Sequence, residues 1–132
     1  MGTVLIVEDS DNYRAQMRTL LEDAGLAVRS APDTQAALQM ARAERPDLVL
    51  MDIFMPEMDG IHAARTLARD PATESIPVVI TAAPAYASHK VRALWLGARD
   101  LLIKPLGTRA LHSVILPLAR PASTWGQAAV GR

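Results

Sequence analysis

Residues 49–60 read VLMDIFMPEMDG, an apolar run that stops at the carboxylate of Asp52 and passes into a methionine-proline turn. A run apolar on both faces belongs in a sheet covered on both sides. A carboxylate at its end needs a partner wherever it is buried. Comparable runs stand at 4–7 (VLIV), 48–51 (LVLM), 76–81 (IPVVIT) and 101–103 (LLI), with a weaker candidate, LAVRSA, at 26–31. Between them lie helical patterns. Tyr13, Met17, Leu20, Leu21 and Ala24 form one stripe, Ile61, Ala64, Leu67 and Ala68 a second, and Ala87, Val91, Leu94 and Ala98 a third. Asp33 reads as the N-cap of TQAALQMARAE, and Gly25 and Gly97 stand where helices should stop. Ala110, Leu111, Val114, Ile115 and Leu118 make a last amphipathic stretch with Pro117 near its end.

Five strands alternating with five helices predict an α/β fold: a doubly wound, three-layer parallel sheet with helices on both faces. In such sheets ligands bind beyond the carboxyl ends of the strands. Those ends carry Glu8 and Asp9, then Asp52, then Thr81, then Lys104 followed by Pro105, residues far apart in sequence that converge on one edge. Three carboxylates against one ammonium leave a net charge of −2. A divalent cation neutralises it, and an all-oxygen donor set suits a hard ion such as Mg²⁺ that shares phosphate oxygens. Asp52, central in the cluster, is then a nucleophile able to form an aspartyl-phosphate.

Composition limits the alternatives. The chain has 132 residues, enough for one core, and 14 basic side chains balance 14 acidic ones, so no global field favours nucleic acid or an anionic membrane. There is no cysteine, which removes thiolate chemistry and zinc-cysteine sites. No apolar segment reaches the ~20 residues of a membrane span. These features predict a soluble cytoplasmic protein with neither a membrane nor a direct nucleic-acid role.

Taken together, VLIVEDS, LVLMDIFMPEMDG, VVITAA and GARDLLIKPL resemble, in order and spacing, the motifs of response-regulator receiver domains of two-component signalling, over residues 3 to about 119. The resemblance implies a flavodoxin-like sheet of order 2-1-3-4-5, with 1–119 as receiver and 120–132 as tail or linker. It implies Asp52 as phosphoacceptor and Mg²⁺ (or Mn²⁺) held by Glu8, Asp9, Asp52 and the backbone carbonyl of Phe54. Asp9 would be a direct ligand and Glu8 a water-mediated one. Thr81 would bond a phosphoryl oxygen, Lys104 would pair with acceptor and phosphate, and Pro105 stands where the family usually has a cis peptide. The implied partners are a histidine kinase or histidine phosphotransfer protein, with an output partner or a homodimer on the helix 4, strand 5 and helix 5 face.

Each residue taken singly also has a plainer reading: acids cap helices, threonine favours strands, and Lys-Pro makes a turn. His62, His89 and His112 lack ligand spacing and read as solvated, and the six methionines read as core filler. The departures from the family pattern bear on mechanism. Leu101 occupies the usual switch-aromatic position, leaving loop and helix rearrangement to carry a signal. Phe54 and Ala83, two residues after Asp52 and Thr81, supply no group to orient an attacking water, which predicts slow autodephosphorylation. Trp95 is either edge-of-core packing or a partner surface.

Two other functions remain in view. An aspartyl-phosphate hydrolase of haloacid-dehalogenase type needs a second aspartate where Phe54 stands. A degenerate receiver, acting as a constitutive interaction module, is disfavoured by the intact Glu8, Asp9, Asp52, Thr81 and Lys104.

Overall fold

The computed structural model describes residues 2–55 and 58–120. Its five strands are β1 (Thr3–Val7), β2 (Ala27–Ala31), β3 (Leu48–Asp52), β4 (Val78–Ala82) and β5 (Asp100–Ile103). They lie parallel in the order β2-β1-β3-β4-β5. The helices between them are α1 (Asp11–Asp23), α2 (Thr34–Glu44), α3 (Gly60–Arg69) and α4 (Lys90–Trp95), the last preceded by a 3-10 segment, Pro84–His89.

Strand side chains alternate between faces, so a strand apolar throughout feeds two cores. Leu5, Val7, Val49, Met51 and Ile80 pack with Ala37, Ile61, Leu67 and Ala93 on the side of α2, α3 and α4. Val4, Ile6, Leu48, Leu50 and Val79 pack with Met17, Leu21, Leu111 and Ile115 on the side of α1 and the C-terminal helix. Each fully buried Leu or Ile contributes about 1.5–3 kcal/mol against exposure. The all-apolar pattern of β3 is thus the signature of a central strand, and its last residue, Asp52, is carried to the open edge.

Local signals set the boundaries. Ser10, Asp33 and Asp59 cap α1, α2 and α3, each accepting from the backbone N–H three residues on. Gly25 (φ 90°) and Gly97 (φ 117°) close α1 and α4 with paired backbone bonds, Leu26 N–H to Leu21 O and Gly25 N–H to Glu22 O, then Ala98 N–H to Ala93 O and Gly97 N–H to Leu94 O. The C-terminal helix runs through Thr108–Ala110, a π-helical turn Leu111–Ile115, and Leu116–Leu118. Pro117 has no N–H to donate to the preceding turn, and the wider winding accommodates it.

The fourth helix departs from its predicted face. The stripe Ala87, Val91, Leu94 is exposed, whereas Tyr86, Ala93 and Leu96 face the core. Pro84 opens a 3-10 segment whose tighter winding shifts the angular phase before α4 begins, and Ala98 is buried only after the Gly97 turn. Trp95 is consequently 86% exposed, so edge-of-core packing does not describe it. Of the expected C-terminal tail, residues 121–132 lie outside the described residues, as do Pro56 and Glu57 of the turn after β3.

Gly60, the first residue of α3, lies against the end of β3: a Cβ there would overlap the Asp52 carbonyl oxygen and crowd Ile53 Cα. Gly60→Ala is expected to cost about 1–3 kcal/mol by overpacking, read as a lowered urea midpoint. An unchanged midpoint would contradict this packing.

Candidate functional site

The topology brings the strand ends together. β1 delivers Glu8 and Asp9, β3 ends on Asp52, β4 places Thr81 in register with Asp52, and β5 leads into Lys104. Carboxylate oxygens of Glu8, Asp9 and Asp52 all lie within 4.8 Å of one another. Glu8 is 1% exposed and Asp52 is buried, while Asp9 faces solvent.

Lys104 is the hub. Its Nζ donates to Glu8 Oε1 at 2.6 Å and to Asp52 Oδ2 at 3.1 Å. The second oxygens are engaged by backbone: Ser10 N–H donates to Glu8 Oε2 at 3.2 Å, and Phe54 N–H to Asp52 Oδ1 at 3.4 Å. Arg14, on the first turns of α1, donates to the Glu8 carbonyl at 2.7 Å and fixes the end of β1. The Lys104–Pro105 peptide is cis. The Glu8 to Lys104 contact is the shorter of the two carboxylate contacts, so Glu8 binds the ammonium as well as bordering the oxygen cluster.

Thr81 is fully buried, and its Oγ1 has no hydrogen-bond partner. Among the described residues only Arg65 Nε is a buried side-chain polar atom in the same condition. An unsatisfied buried hydroxyl costs roughly 1–3 kcal/mol, and this one belongs to the residue paired with Asp52.

The three carboxylates, with one ammonium, present a net −2 edge of hard oxygen donors with no imidazole or thiolate, which fits a small divalent cation. Asp9, Asp52 and Glu8 would hold it, and the ion would supply charge neutralisation for a phosphoryl group. Asp9 gives the edge its exposure to solvent; the hollow lined by Arg45, Asp47, Ser75 and Arg120 lies at the opposite, amino end of the strands and has no part in this chemistry.

The other named residues surround this centre. Leu101 is buried, and Ala83 is exposed at the start of the 3-10 segment. Phe54 is 55% exposed and meets Tyr86 edge-on, ring centroids 4.4 Å apart at 80°. This aromatic pair ties the loop after Asp52 to the loop after Thr81, and Tyr86 gives no sequence signal beyond being one of two tyrosines. His62 is exposed beside Asp59, and His112 is exposed; among the described residues neither joins a metal-ligand grouping. Tyr13, read above only as part of a core stripe, touches the site: its ring lies 4.3 Å from Lys104 Nζ, and its hydroxyl accepts from Leu106 N–H at 3.3 Å. A phenol in an apolar stripe needs a partner for its hydroxyl, the signal that marks it.

Protonation follows from burial and pairing. Burial alone would lower the Lys104 ammonium, but its bonds to Glu8 and Asp52 more than reverse this, so it stays charged at neutral pH. Burial pushes the Glu8 carboxyl above its ordinary 4.5, outweighing the hydrogen bonds from Lys104 and Ser10 that pull it down. The folded chain thus holds the Glu8 proton more tightly than the unfolded chain. From 4.5 up to the raised folded-state value, this group's contribution to stability falls as pH rises. In chelator, the stability of Glu8→Gln relative to wild type is expected to grow as pH rises above 4.5 and to level off once the folded-state carboxyl has ionised, read by urea unfolding; a pH-independent difference would contradict the assignment.

Comparison with known proteins accounts for the arrangement. The family model of the response regulator receiver domain matches residues 4–116. Protein PilH of Pseudomonas aeruginosa is 38% identical over 115 residues, covering 87% of this chain and 95% of PilH. KdpE, the KDP operon transcriptional regulatory protein of Escherichia coli, is 39% identical over 86% of this chain but only 49% of its own length. The crystal structure of a response regulator from Chloroflexus aurantiacus superposes with a TM-score of 0.83 at 31% identity, over 90% of this chain and 98% of that one. Chemotaxis response regulator CheY4 of Vibrio cholerae superposes at 0.80 with 27% identity, over 89% and 98% of the two chains. With its strand order, its edge of three acids and one lysine, and these relatives, the chain belongs to the response regulator receiver domain family.

Proposed function

We propose that this chain is a phosphoacceptor switch in which Asp52 takes the phosphoryl group. An Asp52 carboxylate oxygen forms the new bond to phosphorus as the phosphorus–nitrogen bond of a phosphohistidine donor breaks, and the departing imidazole keeps the electron pair and takes a proton. The donor is a histidine kinase or a histidine phosphotransfer protein. Glu8, Asp9 and Asp52, with the Phe54 carbonyl, would hold Mg²⁺ or Mn²⁺, which supplies neutralisation of the phosphoryl oxygens. Lys104 leaves its two-carboxylate bridge to pair with one phosphoryl oxygen, and Thr81 donates its hydroxyl to another. The reading rests chiefly on the buried, unpartnered Thr81 hydroxyl beside the Lys104-bridged Asp52.

The domain catalyses only its own phosphorylation and slow loss of the group. Phe54 stands where a dehalogenase-type hydrolase needs its acid/base, so sustained turnover of phosphate esters is not part of the proposal. The intact acids, threonine and lysine speak against a constitutive, unphosphorylated module. Because Leu101 provides no aromatic rotamer, the signal is carried as a population shift in the β4–α4 region, where Phe54 meets Tyr86. The exposed Val91, Leu94 and Trp95 of α4 form an apolar face suited to an output partner or a second copy. Residues 1–119 act as the receiver and the remainder as a tail or linker.

One mass experiment tests the reading. With Mg²⁺ and acetyl phosphate the wild-type chain should gain the mass of one phosphoryl group as a hydroxylamine-sensitive adduct, and Asp52→Asn should gain none. Full uptake by Asp52→Asn would refute the assignment. In the same assay Phe54→Asn and Ala83→Glu should shorten the adduct's lifetime, and Trp95→Ala should be phosphorylated at the wild-type rate. A Trp95→Ala chain that loses stability without losing partner binding would remove Trp95 from the contact surface.

A further inference from the structure

We infer that Tyr13 is a positioning residue for phosphoryl transfer, acting through Lys104, an inference that deepens the phosphoacceptor reading and rests on it. Lysine carries its charge on a flexible four-carbon stem and must forfeit that freedom to serve one site. Two carboxylates hold the ammonium from one set of directions, at 2.6 and 3.1 Å. The Tyr13 ring adds a third hold, 4.3 Å from centroid to Nζ, within the range where the electron-rich face of an aromatic attracts a cation.

The same side chain also grips the loop that bears the lysine. Its hydroxyl accepts from Leu106 N–H at 3.3 Å, two residues beyond Lys104. Its own backbone N–H is tied to Ser10 Oγ at 3.3 Å, so the ring projects from a capped, fixed first turn of α1. Tyr13 therefore joins the β1–α1 junction, which carries Glu8 and Asp9, to the β5 loop, which carries Lys104. Core packing alone accounts for a satisfied hydroxyl but not for a ring face set over the Lys104 ammonium. When Lys104 exchanges its bond to the acceptor for one to the arriving phosphoryl group, the ring keeps the ammonium at the edge and out of bulk water.

The test separates the ring from the hydroxyl and the lysine from the fold. Tyr13→Phe retains the aromatic face and is expected to accept phosphate from acetyl phosphate within about twofold of wild type, whereas Tyr13→Leu should be slower by about five- to tenfold. In a Lys104→Met background, Tyr13→Leu should cost nothing further. Nitrogen-15 relaxation of the Lys104 ammonium gives a readout independent of phosphorylation: ordered in wild type and Tyr13→Phe, mobile in Tyr13→Leu. Should Tyr13→Leu melt early, Tyr13→Met carries the same comparison. An ordered Lys104 in Tyr13→Leu, an equal rate loss in Tyr13→Phe, or a loss that persists in the Lys104→Met background would overturn the inference. If wild type takes no phosphate while Tyr13→Leu still frees the Lys104 ammonium, the phosphoacceptor reading falls and with it the role of Tyr13 in phosphoryl transfer, leaving only its hold on Lys104.

Discussion

A single ammonium, Lys104 Nζ, stands between two carboxylates withdrawn from water, and the functional edge is organised around it. Burying both carboxylates is costly, and burial, with the neighbouring Asp52 charge adding to it, pushes the Glu8 carboxyl up. Removing the lysine would leave both charges uncompensated. The strand order is what makes the pairing possible, because β1 and β3 are neighbours and β4 alone separates β3 from β5. A chain of 132 residues thus brings positions 8, 52 and 104 within one hydrogen-bonded group.

The same arrangement leaves the edge partly unsatisfied. Its fully satisfied members are Glu8 and Asp52, each with both oxygens engaged. Its unsatisfied members are the Thr81 hydroxyl and the surplus negative charge. Under the proposed function both deficits would be met together, by a phosphoryl group and a divalent cation at this edge. Phe54 and Tyr86 meet edge-on beside this edge, and Phe54 brings no group able to orient water there, in keeping with the slow loss proposed for the adduct.

Much of this was legible from residue patterns, and the exceptions have physical reasons. β3 announced itself because a central strand must be apolar on both faces, and Asp52 stood out as the charge that violates the pattern. The sheet edge followed from Glu8, Asp9, Thr81 and Lys104 each ending a strand. The face of α4 was misread: periodicity assumes one winding throughout, and Pro84 begins a 3-10 segment that shifts the phase. That shift turned Val91, Leu94 and Trp95 outward. Tyr13 was hidden within an otherwise apolar helical stripe, since no pattern local to α1 reports the approach of a loop 93 residues away. Tyr86 was hidden likewise, because its partner Phe54 lies in a different loop.

The claim that Asp52, Thr81 and Lys104 form one phosphoryl-binding centre is tested most directly by adding beryllofluoride, a stable phosphoryl mimic, with Mg²⁺ and following amide chemical shifts by NMR. The account predicts large changes at Asp52, Thr81 and Lys104 that require both components and vanish in Asp52→Asn. Saturating changes centred elsewhere, or changes at these residues that persist in Asp52→Asn, would contradict it.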